Sequence, residues 1–301
     1  MMINRIMATC LVVSCLATTS CEREPMLHLH QGGTDINMDL PEVTLELHVL
    51  WDYLFSYDHE YDWEAEWLYG WDEKDVELFG TLEYTLPTDF NVRRYYTKDV
   101  QYGQHTAPYR NYVVGTTLSA KYNFGYWDIL AWSEIHTSDG IQSIRIDETS
   151  TYDYVTAHTG QTMTPSRYNA PRFTRAFYQP EALFSGYTPG IEINKNLDGF
   201  VFDEERNVWV KHLDMTLQPV TYIYLPQIIL HHNNRNQRIV TSIDGNANLS
   251  GMSRSVNLNT GITGPDAITV NYNMRMKFDR PGRNNETIDI IGGKVMTFGI
   301  T

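Results

Sequence analysis

After Cys21 the chain contains no cysteine at all. That absence excludes a disulfide framework for the body of the protein, and with it any Cys/His zinc site. Positive charge is scarce too. Against 37 Asp and Glu stand only 23 Lys and Arg, a formal net charge of −14 over 301 residues. Nucleic acid and anionic membrane surfaces both select clustered basic residues, so neither fits as a partner for this surface. Hydrolase and cofactor signatures are missing: there is no G-x-S-x-G elbow, no H-E-x-x-H, no P-loop and no dinucleotide fingerprint. The sequence therefore predicts a non-enzymatic protein without a cofactor. Helical periodicity is sparse as well. Its best candidate is the short run Pro180–Phe184, with Pro placed as at a first helical turn.

What is present favours strands. Apolar residues make up 42% of the chain and aromatics 13%, with 20 Tyr and 7 Trp. Val43, Leu45, Leu47 and Val49 alternate with polar neighbours. So do Leu213, Met215 and Leu217. From Ile268 to Phe278 six apolar residues face one way, and Thr269, Asn271, Asn273, Arg275 and Lys277 face the other, the pattern of a half-buried antiparallel strand. Val220–Leu230 is apolar on both faces and predicts a central strand, with Pro226 demanding a bulge or an edge. The fold class expected is all-β, built of antiparallel sandwiches.

The N-terminus reads as a signal. Arg5 supplies positive charge, Ile6–Leu16 is a short apolar stretch, and Ala17–Ser20 is small and polar. Such a run is shorter than the roughly 20 apolar residues a membrane span needs. Cys21 follows, and then Glu22-Arg23-Glu24. The arrangement resembles a bacterial lipoprotein signal with Cys21 as the acylated first residue, although Thr18 stands where the usual motif has Leu; Cys15 is a second candidate. The acidic start resembles the export signal that places lipoproteins on the outer face of the outer membrane. The division expected is a signal peptide over 1–20, a tether over 21–40, an N-terminal sandwich over 41–190 and a C-terminal sandwich over 191–301.

Three features are candidates for function. The window Trp51–Asp75 interleaves nine acidic residues with nine aromatics, among them Trp63, Trp67 and Trp71. Such a segment packs its rings on a sheet, or grips a sugar or peptide with them, or binds calcium through its carboxylates. The calcium-loop pattern fails, since Trp63 occupies the position of the turn glycine. The second feature is the C-terminal run Lys294–Thr301. Met296, Phe298 and Ile300 fall on one face, as in a strand of the chain's own sandwich or a strand donated to a neighbouring subunit, with Gly292-Gly293 as a hinge. The ten histidines are the third, and His28, His30, His231 and His232 have no matched third ligand in sequence, so no metal is expected.

Four strings carry a family resemblance. They are Leu86-Pro87-Thr88-Asp89-Phe90-Asn91-Val92-Arg93-Arg94-Tyr95-Tyr96, Tyr126-Trp127-Asp128-Ile129-Leu130-Ala131-Trp132, Pro180-Glu181-Ala182-Leu183-Phe184, and Leu249-Ser250-Gly251-Met252-Ser253-Arg254-Ser255-Val256-Asn257-Leu258. Together with the lipoprotein start they resemble the fimbrillin-like surface lipoproteins of Bacteroidales, and in particular proteins related to minor-fimbrium anchors. The resemblance implies two tandem transthyretin-like β-sandwiches and a role in fimbriae or adhesion, with no catalytic residues. It implies as partners the outer membrane through the lipid, fimbrial subunits, and ligands on host or bacterial surfaces. It also implies a distinction. Shaft subunits of this kind lose an N-terminal segment to a protease, which opens a groove for the next subunit's strand, whereas an anchor keeps its lipid and its first strand. A glycan-binding surface lipoprotein using residues 51–75 is the alternative function.

Overall fold

The computed structural model describes residues 43–51, 66–84, 86–97, 107–137, 142–148, 155–166, 172–232 and 237–301. The signal segment, Cys21, the tether, Trp63 and most of the alternating acidic run lie outside them. The described chain opens with β1 (Val43–Trp51), a short helix α1 (Glu73–Phe79), β2 (Asp89–Thr97), β3 (Tyr109–Val114), β4 (Thr117–Tyr122) and β5 (Gly125–Ser133). Four short strands follow: β6 (Ile144–Asp147), β7 (Thr156–Thr159), β8 (Gln161–Pro165) and β9 (Arg175–Phe177). Next come β10 (Phe184–Ile193), β11 (Val201–Asp203), β12 (Val208–Pro219) and β13 (Tyr222–Tyr224). The chain then runs through β14 (Gln227–His231), β15 (Asn246–Ser253) and β16 (Ser255–Asn257). It ends with β17 (Ala267–Pro281), β18 (Thr287–Gly293) and β19 (Val295–Thr297). The all-β expectation holds.

The largest sheet has the order β3-β2-β5-β10-β12-β1-β4, with β11 added beside β12. Its two halves meet only where Phe184 and Ser185 of β10 pair with Pro219 and Gln218 of β12. Just beyond, a Cβ on Gly186 would lie 2.7 Å from Leu217 Cδ2 and 2.8 Å from the Thr216 carbonyl oxygen. The strands cross this closely because residue 186 has no side chain. Val43, Leu45, Phe90, Val92, Trp127, Ile129, Phe184 and Leu217 fill the space between the halves. Each such side chain contributes about 1.5–3 kcal/mol on burial, so the alternation visible in β1 and β12 is an energetic instruction.

A second group of strands has the order β14-β18-β17-β9-β8, with β15 also on β17. The small sheets β16-β7-β6 and β13-β19 complete the fold. Strands on both sides of the boundary expected at residue 190 share these sheets. β12 returns to β1, while β7 and β9 pair forward with β16 and β17. β10 itself runs through residue 190 with a bulge between Thr188 and Ile191.

Two local expectations change. Pro180–Leu183 is not helical, and Phe184 begins β10. Leu183 and Phe184 are both fully buried, in different cores, which an extended chain achieves by pointing neighbours to opposite sides. Glu181 does not cap a helix; its carboxylate accepts from the Ser143 and Ile144 N–H groups and the Ser143 hydroxyl. Val220–Leu230 is not one central strand. Pro226 separates β13 from β14, and β14 is an edge strand with Ile228 and Ile229 exposed.

Candidate functional site

β1 lies inside its sheet. It runs parallel to β12 from the pair Val43–Trp209 to Trp51–Leu217, and antiparallel to β4 from Val43–Tyr122 to His48–Thr117. Both main-chain edges are therefore engaged over Val43–His48. Val43 and Leu45 are buried, and Glu46 accepts from Arg206 Nη1 at 2.6 Å. Without β1 this sheet would hold a slot between β12 and β4.

Two of the resemblance strings form adjacent strands, since β2 and β5 pair from Phe90–Ser133 to Thr97–Tyr126. The unusual pair Arg93-Arg94 is buried on both faces of β2. Arg93 donates twice to Glu148 at 2.7 Å and stacks on Trp132. Arg94 donates to Asn111 Oδ1 and to the Lys121 carbonyl, each at 2.9 Å, and lies over Tyr122. Paired guanidinium groups hold Glu148 below the usual carboxylate range, Arg93 foremost. These arginines act as internal fasteners.

The described half of the acidic window forms a cap on β17 and β18. Asp72 caps α1: its side chain accepts from the Asp75 N–H at 3.1 Å, and Asp75 reciprocates with the Asp72 N–H at 3.0 Å. Asp75 is fully buried. It accepts from the Tyr69 hydroxyl at 2.7 Å, Lys277 Nζ at 2.6 Å and Arg275 Nη1 at 2.9 Å. Burial first, then the bond to Asp75, raises the Tyr69 hydroxyl above its ordinary range. The bond from Arg275 holds Asp72 well below the usual carboxylate range.

Trp67 and Trp71 are half-buried against Tyr69, at ring separations of 5.7 and 6.4 Å. Their indole N–H groups are enclosed without an acceptor. The alternation of β17 also inverts here: Lys277 is buried and Phe278 is 41% exposed, because the cap covers the face that carries Lys277. The motif Asp72-x-x-Asp75 ahead of Val76 was the available sequence signal for α1. Nothing local pointed to Lys277.

The C-terminal run is shorter as a strand than its alternation suggests. β19 covers Val295–Thr297 and pairs with β13. Val295, Thr297 and Phe298 are all buried, while Ile300 is 65% exposed. Met296 is half-buried, and its N–H donates to Gln179 Oε1 at 3.0 Å. The end is tied down by the Ser253 N–H to the Gly299 carbonyl and the Thr263 hydroxyl to the Ile300 carbonyl. Gly292-Gly293, expected as a hinge, are buried residues of β18. A Cβ on Gly292 would lie 2.6 Å from Tyr69 Cγ, so this glycine is where the cap lies flat on the sheet.

His232, Asp279 and Asp289 gather closely enough to share an ion, a grouping that sequence spacing did not reveal. Arg238 occupies the same carboxylates, with Nε 2.9 Å from Asp289 and Nη2 2.7 Å from Asp279. The positive charge at this point of the fold is a guanidinium.

No protein-family model matches the chain, and no curated protein matches it. Solved structures do. A candidate adhesin from Bacteroides ovatus aligns over 92% of this chain and 73% of its own, with a TM-score of 0.51 and 15% identity. A candidate adhesin from Bacteroides thetaiotaomicron covers 88% and 73%, with a TM-score of 0.48 and 9% identity. The fimbrial anchor protein Mfa2 from Porphyromonas gingivalis covers 86% and 74%, with a TM-score of 0.45 and 12% identity. The likeness is one of fold: this chain has the all-β fold of a Bacteroides candidate adhesin.

Proposed function

We propose that the chain is a non-enzymatic component of a fimbrium or adhesion apparatus, held at the outer face of the outer membrane by lipid on Cys21. Its partners in this reading are fimbrial subunits. The observation that supports it most directly is β1. A first strand locked between β12 and β4 suits a subunit that keeps its N-terminal segment, as an anchor or terminal component does, rather than one that exchanges it. The two tandem sandwiches implied by the family resemblance belong to the same reading, as does the adhesin-like fold.

The test uses the full chain in its native cell. Metabolic lipid labelling is expected to mark it and to vanish in Cys21→Ala. Fimbrial subunits are expected to co-isolate with the wild-type chain, and immunogold is expected to place it at filament bases or tips. Labelling retained in Cys21→Ala would overturn the anchor at this residue. A diffuse coat with no co-isolated subunits would overturn the fimbrial role.

A further inference from the structure

A cleft of about 410 Å³ opens where β10 and β12 diverge, bordered by β13 and the turn after β16. Its lining contains no Asp, Glu, Lys, Arg or His, although the chain as a whole carries −14. What it offers instead is hydroxyl and amide groups around an aromatic ring: Ser185, Thr216, Gln218, Asn259, Thr260 and Tyr222. Ser185 is only 6% exposed, the most deeply set of these groups. The ring of Tyr222 is 47% exposed at the rim.

These groups are held in place before any ligand arrives. Asn257 Oδ1 accepts from the Asn259 and Thr260 N–H groups at 2.9 and 3.0 Å, and the Gly261 N–H closes the turn on the Asn257 carbonyl. Leu258 is buried beneath it. Tyr222 is fixed by pairing with Thr297 of β19. A cavity of this size falls within the roughly 300–1,000 Å³ of small-ligand sites, and preorganised groups bind at less entropic cost.

We propose that this cleft binds an uncharged saccharide unit. Neutral hydroxyl and amide side chains both donate and accept, as sugar hydroxyls do, and the Tyr222 face suits the apolar face of a sugar ring. An anionic or cationic ligand would find no counter-charge. An extended peptide would use the main-chain edges of β10 and β12 that face the cleft beyond their short pairing, whereas a saccharide uses the side chains that line it, and the peptide control separates the two. These residues are a different set from Trp63, Trp67 and Trp71, and the proposal stands or falls separately from the fimbrial role.

The experiment is saturation-transfer NMR followed by calorimetric titration on the full chain in detergent. The probes are glucose, galactose, mannose, N-acetylglucosamine and their common disaccharides, with glucuronic acid and a capped Ser-Gly-Ser-Gly peptide as controls. At least one neutral sugar is expected to bind in preference to glucuronic acid. Gln218→Ala and Asn259→Ala are each expected to weaken it by about tenfold with unchanged melting temperature, about 1.4 kcal/mol by the affinity relation. Tyr222→Ala is expected to abolish the ring signals. No binding by any neutral sugar at millimolar concentration would overturn the proposal. So would undiminished binding in both amide variants, or binding of the peptide alone.

Discussion

Lys277 Nζ lies 2.6 Å from Asp75 Oδ2, across 202 residues of sequence, and both side chains are buried. The Tyr69 ring sits under the ammonium at 4.2 Å, and Arg275 closes the other side of the carboxylate. A buried pair of this kind earns its place through completeness: each charge is satisfied only while the other remains.

Removing one partner is therefore the costly change. Lys277→Met is expected to destabilise the chain by about 3–5 kcal/mol in denaturant unfolding, because Asp75 is left buried with a missing donor. The double variant Asp75→Leu with Lys277→Met is expected to recover part of that loss. A single variant as stable as wild type would show that the cap does not depend on this pair.

Acid should loosen the fold through two carboxylates. Burial alone would raise Asp289, but the Asp279 N–H, Arg238 and His232 outweigh it and lower its pKa from the ordinary 3.8. Asp72 is lowered chiefly by its bond from Arg275. A group whose folded pKa is depressed contributes stability above its unfolded value, and that contribution is lost as pH falls through the folded one. The melting temperature is expected to drop below about pH 4 by this linkage. Arg238→Met should make that drop shallower, and an identical acid limb in the variant would reject the assignment.

Gly292→Ala tests the cap from the other side. The added methyl would overlap the Tyr69 ring, so the ring must move off β18 and disturb its bond to Asp75. Overpacking of this kind costs about 1–3 kcal/mol. Pairing it with Tyr69→Ala should give much less than the sum of the two single losses, a coupling measured by a double-mutant cycle.

The C-terminal segment gives a fourth test. Phe298 is fully buried in the same cluster as Leu183 and Val256. Phe298→Ala is expected to cost about 3–5 kcal/mol, whereas Ile300→Ala, at an exposed position, should lie within about 0.5 kcal/mol of wild type. Deleting Lys294–Thr301 should leave β13 unpaired and lower the melting temperature sharply. A truncated chain that melts like wild type but loses fimbrial subunits on co-isolation would favour strand donation instead.

Much of the architecture was legible along the chain, because strand burial is a local, period-two signal. β1, β12 and the first half of β17 carry their alternation openly, and Pro226 marks the break between β13 and β14 where it must. The misreadings share one cause. Pro180–Phe184 has helix-like composition, but Leu183 and Phe184 are claimed by two different cores. Arg275 and Lys277 read as a solvated face, but a segment 200 residues earlier covers them.

Periodicity and composition thus decided the all-β class, the lack of any cysteine beyond Cys21 and the positions of the main strands. These depend only on neighbours in sequence. Tertiary structure alone decided that Asp75 meets Lys277, that β1 is paired on both edges over Val43–His48, and that five uncharged polar side chains around Tyr222 share one cleft. Each of those joins residues far apart in the chain, where no local pattern carries the information and only the sheet order brings the groups together.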